Sequence, residues 1–261
     1  MPQSQEHGFQ WENFIRVMVF GLTSVLNDTN THDIPCENNK FNCDENISIK
    51  CSKGTKVDCG KIMRFFSYDF TKKNTIIAIK YGQNTNTTKK IERIYEIDYN
   101  RELHTLFFGT ITKKEIEEYV AFIKSIPPGK EAQLQSKQER EAKKINLQNT
   151  HNMIAVIHPK VDSKRQRRVQ ISFDINKIPK KFITYTSPDD KPNLLRGAEI
   201  PLTIKSSRRK RDGITLDKLR TICRINKDVC RGFSKHTKKE SLINFLKGRN
   251  LGHIIKLYTH L

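Results

Sequence analysis

The stretch that decides the fold is THDIPCENNKFNCDENISIKC, Thr31 to Cys51. Two short β-like runs, THDIP and NISIKCS, carry Asp33 and Lys50, seventeen positions apart (50 − 33). Side chains alternate between the two faces of a strand. In NISIKCS this sets Ile47 and Ile49 on one face, Ser48 and Lys50 on the other. Asp44 and Glu45 stand just before this run. An acid and a lysine inside segments otherwise built for a sheet interior require a chemical reason.

Working outward, GFQWENFIRVMVF (8–20) reads as a buried amphipathic helix that places Phe9, Trp11, Phe14, Val17 and Val19 on an apolar surface, with Glu12 its only acid. KVDCGKIMRFFSYDF is predicted helical, Asp58 near its start and Ile62, Phe65 and Phe66 inward. NTIIAIKYGQ is the strongest strand, and KKIERIYEIDYN and RELHTLFFGTI read as further strands. Residues 112–126 open with Thr112 and, three positions on, Glu115, a capping box at the start of a one-sided helix. Residues 130–148 form a polar helix suited to an arm, and a dimer contact is one use for it. NMIAVIHPKV, RRVQISFDI and AEIPLTIKS read as strands, and the pattern turns helical from about residue 213. The helix–strand–strand–strand–helix–strand order of residues 8–82 is that of a minimal α/β core.

The chain has 261 residues and a formal charge of +20, from 48 Lys plus Arg against 28 Asp plus Glu. Such an imbalance repels itself, and a polyanionic partner relieves it. Nucleic acid is the first candidate and an anionic membrane surface the second. A hydrophobic fraction of 36%, with 14 Phe, supports a folded core. No apolar run reaches the roughly 18 residues needed to cross a bilayer, and the N-terminus lacks a basic segment leading into an apolar one. An intracellular protein with reduced thiols is expected. Cys36, Cys43, Cys51 and Cys59 are spaced by seven, eight and eight. Zinc sites bring ligands in close pairs, so zinc is not expected. The eight histidines are scattered, with His32 alone beside the acid–lysine pair.

Hydrolysis of a phosphodiester needs an activated water, a neutralised phosphate and a stabilised leaving oxygen. Carboxylates holding Mg²⁺ supply most of this, and a nearby lysine orients water and offsets phosphate charge. Asp33 in HDI and Lys50 in SIK, on successive strands with Glu12 in the preceding helix, resemble the PD-(D/E)XK nuclease superfamily over residues 8–82. This is the fold of most type II restriction endonucleases. The resemblance implies a restriction-endonuclease-like α/β core, a mixed sheet flanked by helices. It also implies Mg²⁺ (or Mn²⁺) as cofactor, double-stranded DNA as substrate and a homodimer. Carried over, Asp33 binds the metal and Lys50 is the catalytic lysine. Ser48 stands where the family usually has an acid. Glu12 and Asp58 are the favoured replacements, and Asp44 and Glu45 are further candidates. If no carboxylate replaces that acid, the chain is a DNA-binding protein on a degenerate nuclease fold. A structure-specific repair or recombination nuclease is another outcome.

The second half is basic. Residues 160–172 pack Lys160, Lys164, Arg165, Arg167 and Arg168 around a turn between strands, with Gln170 beyond. Arg and Gln can read guanine and adenine edges in the major groove, while Lys holds phosphates. Arg208, Arg209, Lys210 and Arg211 form a phosphate clamp or a linker. GFSKHTKKESLINFL resembles the small SAP-type and Rho N-terminal nucleic-acid-binding modules. Lys235, Lys238 and Lys239 would ring the N-terminus of its second helix, a seat for phosphate. A generic helical hairpin is the alternative. The expected organisation is a catalytic core over 1–128, a polar helix over 129–150, a basic β region over 151–212 and a helical module over 213–261.

Overall fold

The computed structural model describes residues 10–22, 31–85, 88–162, 166–205, 216–225, 230, 232–236 and 238–248. The chain divides into two compact units, residues 1–206 and 207–261.

The first unit is α/β, with a mixed five-stranded sheet flanked by helices. Helix α1 covers residues 10–14 and continues as π-helical turns over Ile15–Val19. The sheet follows the order β1 (Glu45–Ser52), β3 (Lys73–Thr85), β4 (Thr88–Asp98), β10 (Thr203–Lys205), with β7 (Ile183–Thr186) also paired to β4. β1 runs parallel to β3, and the other pairings are antiparallel. β3 is apolar on both faces because both are covered. Ile76 and Ala78 join one core; Ile77 and Ile79 join the other. Such a continuous apolar run is what a central strand needs.

On one face, α1 lays Trp11, Ile15, Val19 and Phe20 against Ile47, Ile49 and Ile77. The apolar stripe expected through Phe14 and Val17 is rotated, with Val17 44% exposed. On the other face lie α2 (Arg101–Phe108), α3 (Lys113–Ser125) and a second sheet, β2 (Lys56–Lys61), β6 (Arg167–Asp174) and β5 (Val156–Val161) in the order β2-β6-β5. α4 (Lys130–Gln135) and α5 (Lys137–Thr150) complete this side. Thr112 and Glu115 form the capping box expected for α3.

Several local expectations are corrected. The segment from Lys56 is a strand followed by a 3-10 turn over Ile62–Ser67, because Val57 and Cys59 alternate inward and pair their strand with β6. RELHTLFFGTI is helix α2: Asn100 caps it by accepting from Leu103 N–H, and Leu103, Phe107 and Phe108 share its inner face. It ends at Gly109, whose φ of +60° brings it so close to the His151 carbonyl that a Cβ would stand 1.5 Å away. AEIPLTIKS is split, with β9 (Ala198–Glu199) and β10 on either side of Pro201. The polar helix breaks at Ser136 and lies on β5: Arg140 is buried, and its carbonyl accepts from the Tyr119 hydroxyl. It is packed, not a projecting arm. β6, β7 and β10 pair with strands of the expected catalytic core, so residues 151–205 belong to the same unit.

The second unit contains α6 (Leu216–Ile225) and α7 (Lys239–Gly248), joined through a 3-10 turn at Phe233–Lys235. Leu219, Cys223, Cys230, Leu242 and Leu246 form its small core.

Candidate active site

β1 lies at the edge of the main sheet, so the side away from β3 has free backbone groups. Ile47 satisfies its own by a single bridge to Ile34. Thr31 to Asp33 are bends, not the strand expected for HDI. Two residues further along β1, the Asp33 carboxylate takes the place of a partner strand. Its Oδ2 accepts the Ile49 N–H at 2.5 Å and the Lys50 ammonium at 2.8 Å. Both side chains are mostly covered, at 18% and 17% exposure. Lys50 also donates to the Ile49 carbonyl at 2.9 Å. The seventeen-residue separation closes into one ion pair because bridge and carboxylate together dock residues 33–34 onto β1.

Burial works to lower the Lys50 pKa, but the Asp33 carboxylate facing it more than offsets this and holds the ammonium above its ordinary range. The lysine is firmly protonated at neutral pH. Ser48, on the same face, shares a 3.0 Å hydrogen bond with the Tyr68 hydroxyl. That phenol is pushed up by burial, and its ring stacks on Phe65 and lies against His32, 4.6 Å between centroids. Burial lowers His32 to about 4, so its imidazole is neutral, and its buried Nδ1 has no partner among the described residues.

Glu12 stands on α1. Burial, reinforced by the Glu12 carboxylate, raises the Cys51 thiol, on which Lys50 and Asp33 also act. Asp33 and Lys50 thus meet at the edge of β1, while Glu12 stands on the helix that packs against its Ile47 and Ile49 face. Asp58 does not join them: it is exposed on β2, opposite Ser172, and accepts from the Gly60 N–H. Asp44 pairs with Lys72 at the surface. Glu45 is 1% exposed and engaged by Arg196, Thr75, Asn39 and Lys73, which removes it from ligand duty.

The Arg196 network was not anticipated. Arg196 and Gly197 form the two-residue turn between β8 (Leu194–Leu195) and β9, both at positive φ (+49° and +81°), as a type I′ hairpin demands. The turn aims the guanidinium at two carboxylates. Arg196 meets Glu45 at 2.8 and 2.9 Å and Glu96 at 2.7 and 3.2 Å. The LLRGAE pattern around Arg-Gly signals the hairpin, but nothing local signals its target.

Of the expected DNA contacts, Arg167 is spent internally, donating to the carbonyls of Ile126, Pro127, Asp162 and Gln166. Arg168 and Gln170 lie on β6, facing away from the core formed by Val169 and Ile171. Lys235 and Lys238 are exposed in the second unit. Lys164, Arg165, Arg208, Arg209 and Arg211, and the Lys239 side chain, lie outside what the structure describes.

Among the described residues no group of three or more His, Cys, Asp and Glu is gathered for a metal, and no helix is long and apolar enough to cross a membrane. Mg²⁺ commonly takes only one or two protein carboxylates and completes its shell with water and substrate phosphate. Asp33 and Glu12 fit that requirement as hard oxygen donors, Asp33 with Oδ1 unbonded among the described residues. No protein-family model, curated protein or solved structure matches this chain.

Proposed function

We propose that this protein is a Mg²⁺-dependent endodeoxyribonuclease with a restriction-endonuclease-like core, cutting duplex DNA as a two-fold dimer. The observation that carries this reading is the 2.8 Å pairing of Asp33 and Lys50 at the edge of β1. Asp33 and Glu12 are the residues that would hold the cation. The bound cation supplies charge neutralisation at the scissile phosphate and acidifies a water. Lys50, protonated by its partner, adds a positive charge beside the pentavalent phosphorus and orients the attacking water by donation. It does not serve as general base in this state. Tyr68 and Ser48 brace the strand that presents the lysine. A charge of +20 is suited to the polyanionic substrate.

A second reading, a DNA-binding protein without catalysis, is favoured by one feature: Asp33 Oδ2 is already committed to Ile49 and Lys50, as a structural clamp would be. Incubation of supercoiled plasmid with the full chain and Mg²⁺ separates the two. Nicked, linear or discretely banded DNA that EDTA prevents supports the nuclease; retarded but intact plasmid supports the binder. Cutting confined to flaps or junctions would instead indicate a structure-specific nuclease.

A further inference from the structure

The β2-β6-β5 sheet covers its inner face with the main core, while its other face carries polar and basic side chains. Cross-strand register sets Gln170 of β6 between Lys61 of β2 and His158 of β5, and Arg168 beside Lys160. Ser172 follows, hydrogen-bonded to His158 Nε2 at 2.8 Å, with Asp58 beyond it on β2. Two observations distinguish this face from an ordinary solvated sheet. Gln170 is only 8% exposed, walled by its neighbours, yet its amide has no hydrogen bond among the described residues. Arg168 has a buried Nε without a partner among the described residues, in contrast to the fully committed Arg167 beside it. Polar groups held this firmly and left unmatched lose free energy unless a ligand completes them.

We propose that this face enters the major groove of duplex DNA and that Gln170 and Arg168 are the base-reading residues. The proposal rests on the reading of the chain as a DNA enzyme and supplies its specificity surface. Gln matches the adenine edge and Arg the guanine edge, each by two hydrogen bonds. Two positions along a strand advance about 6.7 Å, which equals about two base-pair steps of 3.4 Å. The face therefore reads a guanine and an adenine about two steps apart. Lys61 and Lys160 flank the central strand from its two neighbours, each about 4.8 Å away. From there their long side chains reach the phosphate walls of a groove about 12 Å wide.

The test is selection of bound duplexes from a random pool by the full chain in EDTA, so that binding is read without cutting. Arg168→Ala and Gln170→Ala are expected to lower the preference for the selected sequence over random duplex by about tenfold to a hundredfold each, relaxing different base pairs. Lys160→Ala should weaken all duplexes alike and reduce the salt dependence by about one counterion. Retained affinity for random duplex reports that each variant is folded. Unchanged sequence preference in both Arg168→Ala and Gln170→Ala overturns the proposal. Selective binding by a wild-type chain that fails to cut in Mg²⁺ would remove the nuclease reading and leave this face standing. Absence of duplex affinity would remove both.

Discussion

Asp33 and Lys50 form one ion pair at 2.8 Å, and the same Asp33 oxygen caps the backbone N–H of Ile49 on the exposed edge of β1. One carboxylate thus closes a sheet edge and pairs the lysine, so its loss has two separable consequences.

Asp33→Ala and Lys50→Ala should each reduce the cutting rate by about 10²–10⁴-fold, the scale of a positioned catalytic group. Affinity for duplex in EDTA should stay within about threefold, since phosphate contacts elsewhere dominate binding. Asp33→Ala should also lose about 1.5–3 kcal/mol of stability, because a charged hydrogen-bond acceptor is removed from a backbone donor. Plasmid cleavage and urea unfolding measure the two effects. Wild-type cutting by either variant rules out this site.

Glu12 and Asp58 give opposite expectations. Glu12→Gln should weaken the apparent Mg²⁺ affinity read from cutting by about 10–100-fold, the usual scale for damage to a metal site. Asp58→Asn should leave it unchanged, because Asp58 is exposed on the open face of the second sheet. A Mg²⁺ titration of cleavage with both variants is decisive. Equal loss in the two would mean that Asp58 reaches the metal.

Arg196→Met should cost about 3–5 kcal/mol, since it leaves Glu45 and Glu96 buried with their shared cation gone. Adding Glu45→Gln and Glu96→Gln to that variant should restore part of the loss by removing the orphaned charges. Urea midpoints of the single and triple variants measure this. A triple variant no more stable than the single would show that hydrogen-bond geometry, not charge, is what Arg196 supplies.

Stability should fall with pH in two stages. Burial among Phe66, Phe70 and Phe108 lowers His104 to about 4, with Arg101 adding to the effect. The folded state therefore disfavours the proton that the unfolded chain accepts near 6.5. This contribution is present above about 6.5 and is lost between there and about 4, amounting to about 2 kcal/mol. Burial alone would raise Glu45, but hydrogen bonds from Arg196, Thr75 and Lys73 hold it at about 2. Its contribution, about 3 kcal/mol, is present above about 4.5 and lost between there and 2. Unfolding free energy measured from pH 8 to 3 checks both stages. His104→Phe should reduce the upper one, leaving the share of His32, which burial also lowers to about 4; an unchanged slope would assign the stage to other groups.

Much of this architecture was legible locally. β1 and β3 follow from period-2 and continuous isoleucine patterns, and α3 from its Thr112–Glu115 box. Asp33 and Lys50 were legible as a pair because two short apolar runs placed them. The segment Lys56–Ser67 was misread, because VDCGKIMRFF carries apolar residues at both helical and strand spacings and only pairing with β6, more than a hundred residues away, selects the strand. Asp58 went with it, since a strand alternates sides and turned the carboxylate outward. Arg167 and Arg168 are indistinguishable as sequence, yet adjacent positions on β6 face differently: one closes the turn at Ile126–Pro127 and the other stays open.

By itself, the sequence determined the periodicities, the caps, the excess of positive charge and the residue types available for phosphate chemistry, because these depend on neighbours within a few positions. Only the tertiary structure decided which carboxylate meets Lys50, that Arg196 locks Glu45 and Glu96, and which basic side chains remain open. Those outcomes depend on strand register and on contacts across 151 and 100 residues for Arg196. Long-range pairing turns each side chain inward or outward, and no local pattern encodes it.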